Sequence, residues 1–369
     1  MTLGGEVSAA MGSDDPGFFN YTDYEDSVLR LVRLDLTAAI RAGDHVAFLG
    51  ELRSQNGAAP DAYAFYVRLR PWMARRIELQ IGRVPPVFGA FTRRSYAADN
   101  PLIGYPLAYQ YLTSLRADAV PAGADELLQM RGRGWLSSYS IGGVGPAPGV
   151  PLVSAFRWDT GVQASVATDM VDVAVAVTVG TLANPVLPDD NSGRQVAGRV
   201  AVRPLPGLVL GASGARGPFV SDGAARLATG QGTPPAFDQT AWGADLEYSR
   251  GHYLVRTEAV YSRWRLPMAQ PGAAAIDAPL SALAAWVEGR YKIRPGLYVA
   301  ARADHLGFSS LTGSLQTREW DAPVTRVEAG VGYSVRRNLL VKLSAQAVDR
   351  DGGRVRRARL AAAQAVWWF

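Results

Sequence analysis

Short segments in which apolar and polar residues alternate recur along the whole chain of 369 residues. In the segment 324–336, Val327 and Val331 share one face and Arg326 and Glu328 share the other, because successive side chains of a strand point to opposite sides. A soluble barrel or sandwich also alternates, but it places its apolar face inside. Long segments with an almost purely apolar face opposite a charged one instead favour strands that span a membrane around a wet interior.

Sixteen such segments are predicted, and tight turns alternate with longer polar loops between them. An up-and-down membrane barrel has short turns at one rim and long loops at the other. Most segments reach the roughly 9–11 residues that a tilted spanning strand needs. The pattern therefore predicts an all-β fold, a transmembrane antiparallel up-and-down β-barrel, as a single domain over residues 1–369. The predicted strands are residues 2–11, 28–41, 45–53, 62–70, 76–84, 155–167, 171–181, 194–203, 208–215, 240–250, 252–265, 280–294, 297–308, 324–336, 339–348 and 354–369.

The last predicted strand ends in two tryptophans and a phenylalanine, residues 367–369. Aromatic side chains suit the boundary between bilayer and water, so they mark the rim of a spanning strand. We expect Trp367 and Phe369 to act as an insertion signal for the barrel-assembly machinery. The expected location is the bacterial outer membrane, in contact with lipid and lipopolysaccharide. Residues 1–11 show no signal peptide, so a mature chain is expected.

The charged residues of the polar face fall into two sets. Opposite charges two residues apart lie on one face of a strand, where they can pair with charges on neighbouring strands. A second set of basic residues lacks such a neighbour and would leave the lumen positive and attractive to anions. The spaced pairs are Arg33/Asp35, Glu51/Arg53, Arg76/Glu78, Arg157/Asp159, Arg256/Glu258, Glu288/Arg290, Arg302/Asp304 and Arg326/Glu328; the second set is Arg41, Arg68, Arg70, Arg199, Arg203, Lys292, Arg336 and Lys342.

One connection, residues 85–154, is far longer than the others. Unstructured connections beyond about 12–15 residues usually carry function. This one is rich in aromatic and apolar residues, so we expect it to pack against the barrel rather than remain loose. Residues 122–130 are expected to form a short helix with Asp125 and Glu126 in its first turn. By the order of the predicted strands it is the third long loop.

The strand number, the turn asymmetry, the dominant third loop and terminal Phe369 together make the chain resemble the sixteen-stranded bacterial porins, which include general and anion-selective types. In that family the third outer loop folds into the barrel and narrows it, and the barrels form trimers. The resemblance implies a homotrimer and a constriction in which arginines of the loop face charges of the wall. The same arginines could instead tie the loop to acidic wall positions. The implied loop residues are Arg93, Arg94, Arg116, Arg131 and Arg133, and the implied wall residues are Arg33, Arg68, Arg157 and Glu78.

The predicted function is a passive channel for small hydrophilic solutes that mildly favours anions, with no enzyme activity, cofactor, metal or nucleic-acid partner. The three histidines, His45, His252 and His305, fall in separate strands without metal-ligand spacing. The alternative is a structural barrel that sheathes or anchors a partner protein, such as a surface lipoprotein or a cytochrome. In that case the aromatic loop 18–24 is a candidate docking site.

Overall fold

A computed structural model describes residues 1–22, 26–72, 76–143, 145–155, 157–185, 190–230, 237–267 and 273–369. Across these residues, sixteen antiparallel strands close into one barrel. They are β1 (Thr2–Gly12), β2 (Val32–Ala42), β3 (Val46–Gln55), β4 (Asp61–Leu69), β5 (Ile77–Val84), β6 (Asp159–Ala167), β7 (Val171–Thr178), β8 (Gln195–Leu205), β9 (Leu208–Pro218), β10 (Asp238–Arg250), β11 (Tyr253–Trp264), β12 (Leu280–Arg294), β13 (Leu297–Phe308), β14 (Val324–Arg336), β15 (Leu339–Arg350) and β16 (Arg357–Trp368).

The barrel closes where the first strand meets the last. Glu6 of β1 lies opposite Trp368 of β16, and Gly12 lies opposite Ala362. Beyond the strand, the amide of Phe369 donates to the carbonyl of Gly5 at 3.1 Å, and the amide of Gly5 donates back at 3.2 Å. Closure leaves no strand edge unpaired, which is what a sheet surrounded by lipid requires.

The two rims of the barrel differ in the way the sequence predicts. One rim, the turn rim, carries short connections such as residues 206–207, 251–252 and 295–296. Gly207 and Gly296 there both have φ of 82°, a left-handed conformation that glycine adopts without steric cost. The other rim, the loop rim, carries the long connections, and residues 85–158 form the third of these.

All sixteen predicted strands are present, and the bounds of β14 agree residue for residue. Two boundaries were wrong for the same reason. Residues 28–31 and 155–158 belong to the connections at the loop rim, so β2 begins at Val32 and β6 at Asp159. The last strand begins at Arg357 rather than at residue 354, which removes the break in alternation among the arginines of that segment.

In the described parts of the connections, the helices and strands are short. Helix α2 confirms the helix predicted between residues 122 and 130. Among the described residues, no helix has the length and apolar character to cross a membrane. The helices are α1 (Leu107–Gln110), α2 (Ala124–Gln129) and α3 (Asp222–Thr229); the 3-10 turns are Val28–Arg30, Phe91–Arg94 and Gly134–Leu136; the small sheets pair Tyr21–Thr22 with Asp26–Ser27, Ala119–Val120 with Ile141–Gly142, and Ser310–Thr312 with Thr317–Glu319.

Along the middle of most strands, the apolar face points outward and the polar or charged face points inward. On β14, Val327 is 51% exposed whereas Arg326 and Glu328 are fully buried inside the barrel. Aromatic side chains mark both ends of the exterior: Tyr253 and Tyr291 meet at 4.8 Å near the turn rim, and other rings lie nearer the loop rim. An apolar belt bounded by aromatic residues is the exterior of a barrel that spans a membrane.

Candidate functional site

The long third connection, residues 85–158, folds back into the barrel and is called the lumen loop here. It leaves β5 at Val84 and returns at Asp159, which is the partner of Val84 in the sheet. Its Phe88 is fully buried against Gly243 of β10, where an added Cβ would come within 3.1 Å of the ring. Phe91 meets Trp286 of β12 edge-to-face at 6.4 Å. The aromatic residues therefore pack inside the barrel, as their composition predicts.

Charged residues of β13–β15 hold the lumen loop by its backbone. Glu328 accepts hydrogen bonds from the amides of Ile103 (3.2 Å) and Gly104 (2.9 Å). Arg302 donates to the carbonyl of Gly104 at 2.8 Å and to Glu328 at 2.7 Å. Buried backbone groups need partners because water is excluded there, and these side chains supply them.

A buried lysine completes this attachment. The ammonium of Lys342 donates to the carbonyls of Ala97 (2.8 Å), Asn100 (2.9 Å) and Leu102 (3.1 Å). An ammonium has three donors, so its donors are all used on the loop backbone. The lysine that was predicted to add positive charge to an open lumen is instead enclosed beneath the loop.

Carboxylates from two other parts of the wall grip the same loop. Glu6 of β1 accepts from the amides of Ala97 (2.8 Å) and Ala98 (3.0 Å). Glu258 of β11 accepts from the amide of Ala90 at 2.9 Å and from the hydroxyl of Tyr109 at 2.6 Å. The loop is thus fixed to β1, β11 and β13–β15.

The predicted charge pairs form in part. Arg302 pairs with Asp304 at 3.2 Å and Arg53 with Glu51 at 3.4 Å, both within one strand as spaced. Arg326 of β14, however, pairs with Asp304 of the neighbouring strand β13 at 3.3 Å. The register between neighbouring strands decides these partners, and it cannot be deduced from the spacing of charges along one strand.

Several basic residues expected to stay unpaired also bond acidic residues elsewhere in the barrel. Arg199 bonds Asp245 at 2.8 Å, and Arg70 bonds Glu78 at 2.6 Å. Their charges are therefore largely compensated. Three other residues of this set, Arg41, Lys292 and Arg336, form no ion pair with the residues that the structure describes, and their side chains are exposed at the turn rim.

The structure does not bring the five predicted loop arginines together. Arg94 forms an ion pair with Glu247 of β10, towards the turn rim. Arg131 contacts Glu319 at 3.3 Å in a connection at the loop rim, and Arg133 is exposed at that rim. Arg93 lies in the 3-10 turn 91–94, and its side chain is outside what the structure describes. The four loop arginines whose side chains are described therefore lie in different places, and their role at a constriction stays a prediction.

Arg116 is a structural residue of the loop itself. Its guanidinium donates to the carbonyls of Ser137 (2.9 Å) and Gly145 (2.7 Å) and to the carboxylate of Asp118 (2.6 Å). The hydrogen bonds from Arg116 lower the pKa of the Asp118 carboxyl below its usual value. This cluster closes a turn of the loop near the loop rim rather than facing the wall.

The four predicted wall residues also occupy different places. Arg33 is buried and donates to the carbonyl of Ser95 at 3.4 Å, so it faces the loop as expected. Arg68 is half-buried on β4, and Glu78 is taken up by its bond to Arg70. Arg157 is not on the wall, because the chain reaches β6 only at Asp159.

An open space remains between the lumen loop and the inner face of β5–β8. This lumen cavity has a volume of about 390 Å³. Gln80 and Gln163, which face each other on β5 and β6, line it together with Ser165, Tyr96 and Trp158. The Oε1 atoms of both glutamines are buried without a hydrogen-bond partner in the protein. The lumen cavity is thus lined by both polar and apolar side chains.

A second, much smaller space lies next to the lumen cavity on the side of the loop rim and is called the neck here. The two spaces share Pro85 and Pro86 in their linings, and the neck has a volume of only about 20 Å³. The lining of the neck includes Arg157, Asp159 and Gln195. Such a volume holds about one water molecule.

Sequence analysis did not single out this wall. The sequence does contain a signal, because this stretch lacks the spaced charge pairs of the other strands. The inner face of β6 and β7 carries Gln163, Ser165, Ala174 and Ala176 instead. The charged residues of this lining, Asp172 and Arg199, are bonded to Arg203 and Asp245 of the wall rather than to the lumen loop.

The half of the barrel nearest the loop rim is packed rather than water-filled, which corrects the expectation of a wet lumen throughout. Trp264 of β11 meets Trp320 at 5.7 Å, and both rings are fully buried. Leu127 of α2 and Leu306 of β13 belong to the same apolar cluster. The lumen loop supplies much of this core, and strands and other connections supply the rest, so the barrel is open mainly towards the turn rim.

The histidines lie apart at the edges of the barrel. Nδ1 of His45 is 2.7 Å from the carbonyl of Arg70, and Nδ1 of His252 is 2.7 Å from that of Lys292, both at the turn rim. His305 contacts Thr325 at 2.9 Å. Within the described parts of the chain, no group of three or more His, Asp or Glu residues is placed to hold a metal ion.

Comparison with solved structures identifies the fold. No protein-family model and no curated protein matches the sequence. The anion-selective porin of Comamonas acidovorans matches with a TM-score of 0.62 and 11% identity, covering 100% of this chain and 99% of that one. In-vitro folded OmpT, an outer membrane protein of Vibrio cholerae, gives 0.59 and 11% over 100% and 97%. The outer membrane channel DcaP of Acinetobacter baumannii gives 0.56 and 13% over 100% and 96%.

These likenesses establish a shared fold. The chain has the closed sixteen-stranded barrel of bacterial outer-membrane porins, as its alternation and turn pattern predict. Its apolar belt and this fold support the bacterial outer membrane as its location. The identities are too low to carry over a solute, a selectivity or the role of any residue.

Proposed function

We propose that the protein is a passive outer-membrane channel for small hydrophilic solutes. The observation that carries the proposal is the pair of adjacent spaces along β5–β8, the lumen cavity and the neck, beside a loop that is bonded to other parts of the wall. Solutes pass by diffusion and no bond is made or broken. The neck selects by size, and water-sized dimensions there imply a small conductance.

We further propose a mild preference for anions, set at the turn rim. Lys292 and Arg336 project exposed side chains from the inner faces of β12 and β14. Neither residues 289–300 nor residues 329–348 contain an aspartate or glutamate. Uncompensated positive charge at the mouth of a low-dielectric vestibule raises the local concentration of anions. The anion-selective porin with the same fold is a precedent for such a function.

The double variant Lys292→Glu, Arg336→Glu is expected to move ion selectivity from anions towards cations. The reversal potential of purified protein in planar bilayers under a potassium chloride gradient measures this preference. An equivalent change at exposed Arg318, in a hairpin at the loop rim, is the matched control and should leave the potential close to that of the unaltered protein. Cation preference in the unaltered protein, or an unchanged potential in the double variant, would refute the proposed origin of selectivity.

We also propose a homotrimer in the membrane, with lipid, lipopolysaccharide and the barrel-assembly machinery as envelope partners. A flat exterior patch of small side chains supports close contact between barrels, because small residues let backbones approach. The residues Ala9, Ala365, Ala361 and Ala345 of β1, β16 and β15 form part of it. A trimer form is known for Vibrio cholerae OmpT, which shares the fold.

The second candidate function is a structural barrel that anchors or sheathes a partner protein. The packed core of the loop-rim half favours it, since that core restricts passage. The proposed docking loop 18–24 is described only to Thr22, and residues 23 and 24 lie outside the described part. Phe18 and Tyr21 of this loop pack on Trp135 rather than standing free. A folded barrel that carries no current would favour this candidate.

A further inference from the structure

We propose that the loop rim carries a binding site for a small aromatic carboxylate. The site is a cavity of about 210 Å³, separate from the lumen cavity, where three connections of the loop rim meet. It is called the rim pocket here, and its lining includes Phe18, Tyr111, Arg133, Trp135 and Arg354. The proposal does not depend on the channel function.

One side of the rim pocket is an aromatic wall. The rings of Phe18 and Trp135 stack with centroids 5.1 Å apart and 9° between their planes, and Tyr21 lies 4.4 Å from Trp135. Phe18 has φ of 56°, which is rare for a bulky residue. The half-buried rings offer faces and edges against which another aromatic ring packs favourably.

Two arginines of the rim pocket favour a ligand that carries a negative charge. Arg133 and Arg354 are exposed, and neither forms an ion pair with any residue that the structure describes. A guanidinium presents its donors as a planar fork that matches a carboxylate. Two such groups at one small pocket favour an anion and repel a cationic ligand.

Arg350, which is more deeply buried than Arg133 and Arg354, stabilises the structure of the rim pocket. It donates to the carbonyls of Gly17 (3.1 Å), Gly352 (3.2 Å) and Val355 (2.9 Å). Its guanidinium also lies 4.6 Å from the ring centroid of Phe19. It therefore ties two of the connections together and shapes the rim pocket, whereas Arg133 and Arg354 remain available to a ligand.

The lining of the rim pocket also includes Tyr111, whose side chain is only 2% exposed. Its buried ring adds apolar surface to the pocket beside the stacked rings of Phe18 and Trp135. The aromatic wall and the two arginines together favour a ring that bears a carboxylate.

The size of the rim pocket limits the ligand. Pockets that bind drug-sized molecules usually have volumes of about 300–1,000 Å³, and this one is smaller. We therefore expect a ligand with a single ring. Benzoate is the simplest probe of that class, and benzamide has the same shape without the charge.

Isothermal titration calorimetry of the folded full-length barrel in detergent tests the proposal. Saturable binding of benzoate is expected, with benzamide weaker by about tenfold or more because the charge-assisted hydrogen bonds are lost. The double variant Arg133→Gln, Arg354→Gln should weaken benzoate by a similar factor. Arg226→Gln changes an exposed arginine of α3, outside the rim pocket, and should leave binding unchanged.

Three outcomes would overturn the proposal. They are an absence of saturable benzoate binding, equal binding of benzoate and benzamide, and full affinity in the double variant. Because both substituted arginines are exposed and unpaired, the variants should retain the shift in electrophoretic mobility on heating that marks a folded barrel. A second variant, Trp135→Leu, tests the aromatic wall separately and should also weaken benzoate.

Discussion

Replacing residues 88–154 of the lumen loop with a short Gly-Ser turn is expected to raise the single-channel conductance several-fold. Val84 and Asp159 are partners in the sheet, so a short turn can join β5 to β6 without straining the barrel. The replacement removes the part of the loop-rim core that the lumen loop supplies. A sixteen-stranded barrel without such a core leaves an aqueous channel. Conductance in planar bilayers at fixed salt measures the change.

The matched control shortens the exposed hairpin 310–319 at its tip, where Leu315 is 94% exposed. That control should conduct like the unaltered protein, because the hairpin lies at the loop rim and not inside the barrel. A folded loop-replacement variant with unchanged conductance would show that the lumen loop does not limit passage.

Substituting Arg302 by methionine is expected to lower the free energy of unfolding by about 3–5 kcal/mol. The buried guanidinium of Arg302 contacts Glu288 at 3.3 Å, Asp304 at 3.2 Å and Glu328 at 2.7 Å. Removing one member of a buried ion network leaves the others with uncompensated charge. The variant also loses the bond to the carbonyl of Gly104 that anchors the lumen loop. Urea unfolding in detergent micelles, followed by tryptophan fluorescence, measures the loss.

The substitution Arg318→Met, at an exposed position outside the network, is the control for removing an arginine. It should change the free energy of unfolding little. The double variant Arg302→Met, Glu328→Gln should recover part of the stability, because it removes an acid together with its partner. Unfolding of Arg302→Met at the urea concentration of the unaltered protein would contradict the role assigned to this network.

The strands were predictable because their signal is local. Alternation with a period of two assigns Val327 to the lipid and Glu328 to the interior without knowledge of any neighbour. Glycine turns such as residues 295–296 mark where strands end. The same local signal identified the third connection as exceptional, from its length and its aromatic content.

The partners of the charges were not predictable, because they depend on register and on the path of the lumen loop. Nothing near Lys342 in the sequence indicates that it binds carbonyls of residues 97–102, about 240 positions away. Arg116 appeared to be a constriction residue, yet its hydrogen bonds close a turn within the loop. The roles of Trp367 and Phe369 in assembly, and those of the predicted pore residues in solute passage, stay predictions.

The central claim is that solutes pass through the lumen cavity beside β6. The chain contains no cysteine, so Ser165→Cys would place a single thiol in the cavity lining. We predict that a sulfonate-bearing methanethiosulfonate reagent reduces the current through this variant. The same reagent should leave Ser344→Cys unchanged, since Ser344 is buried on β15. A current that persists undiminished through modified Ser165→Cys, or a folded barrel without current, would contradict the account.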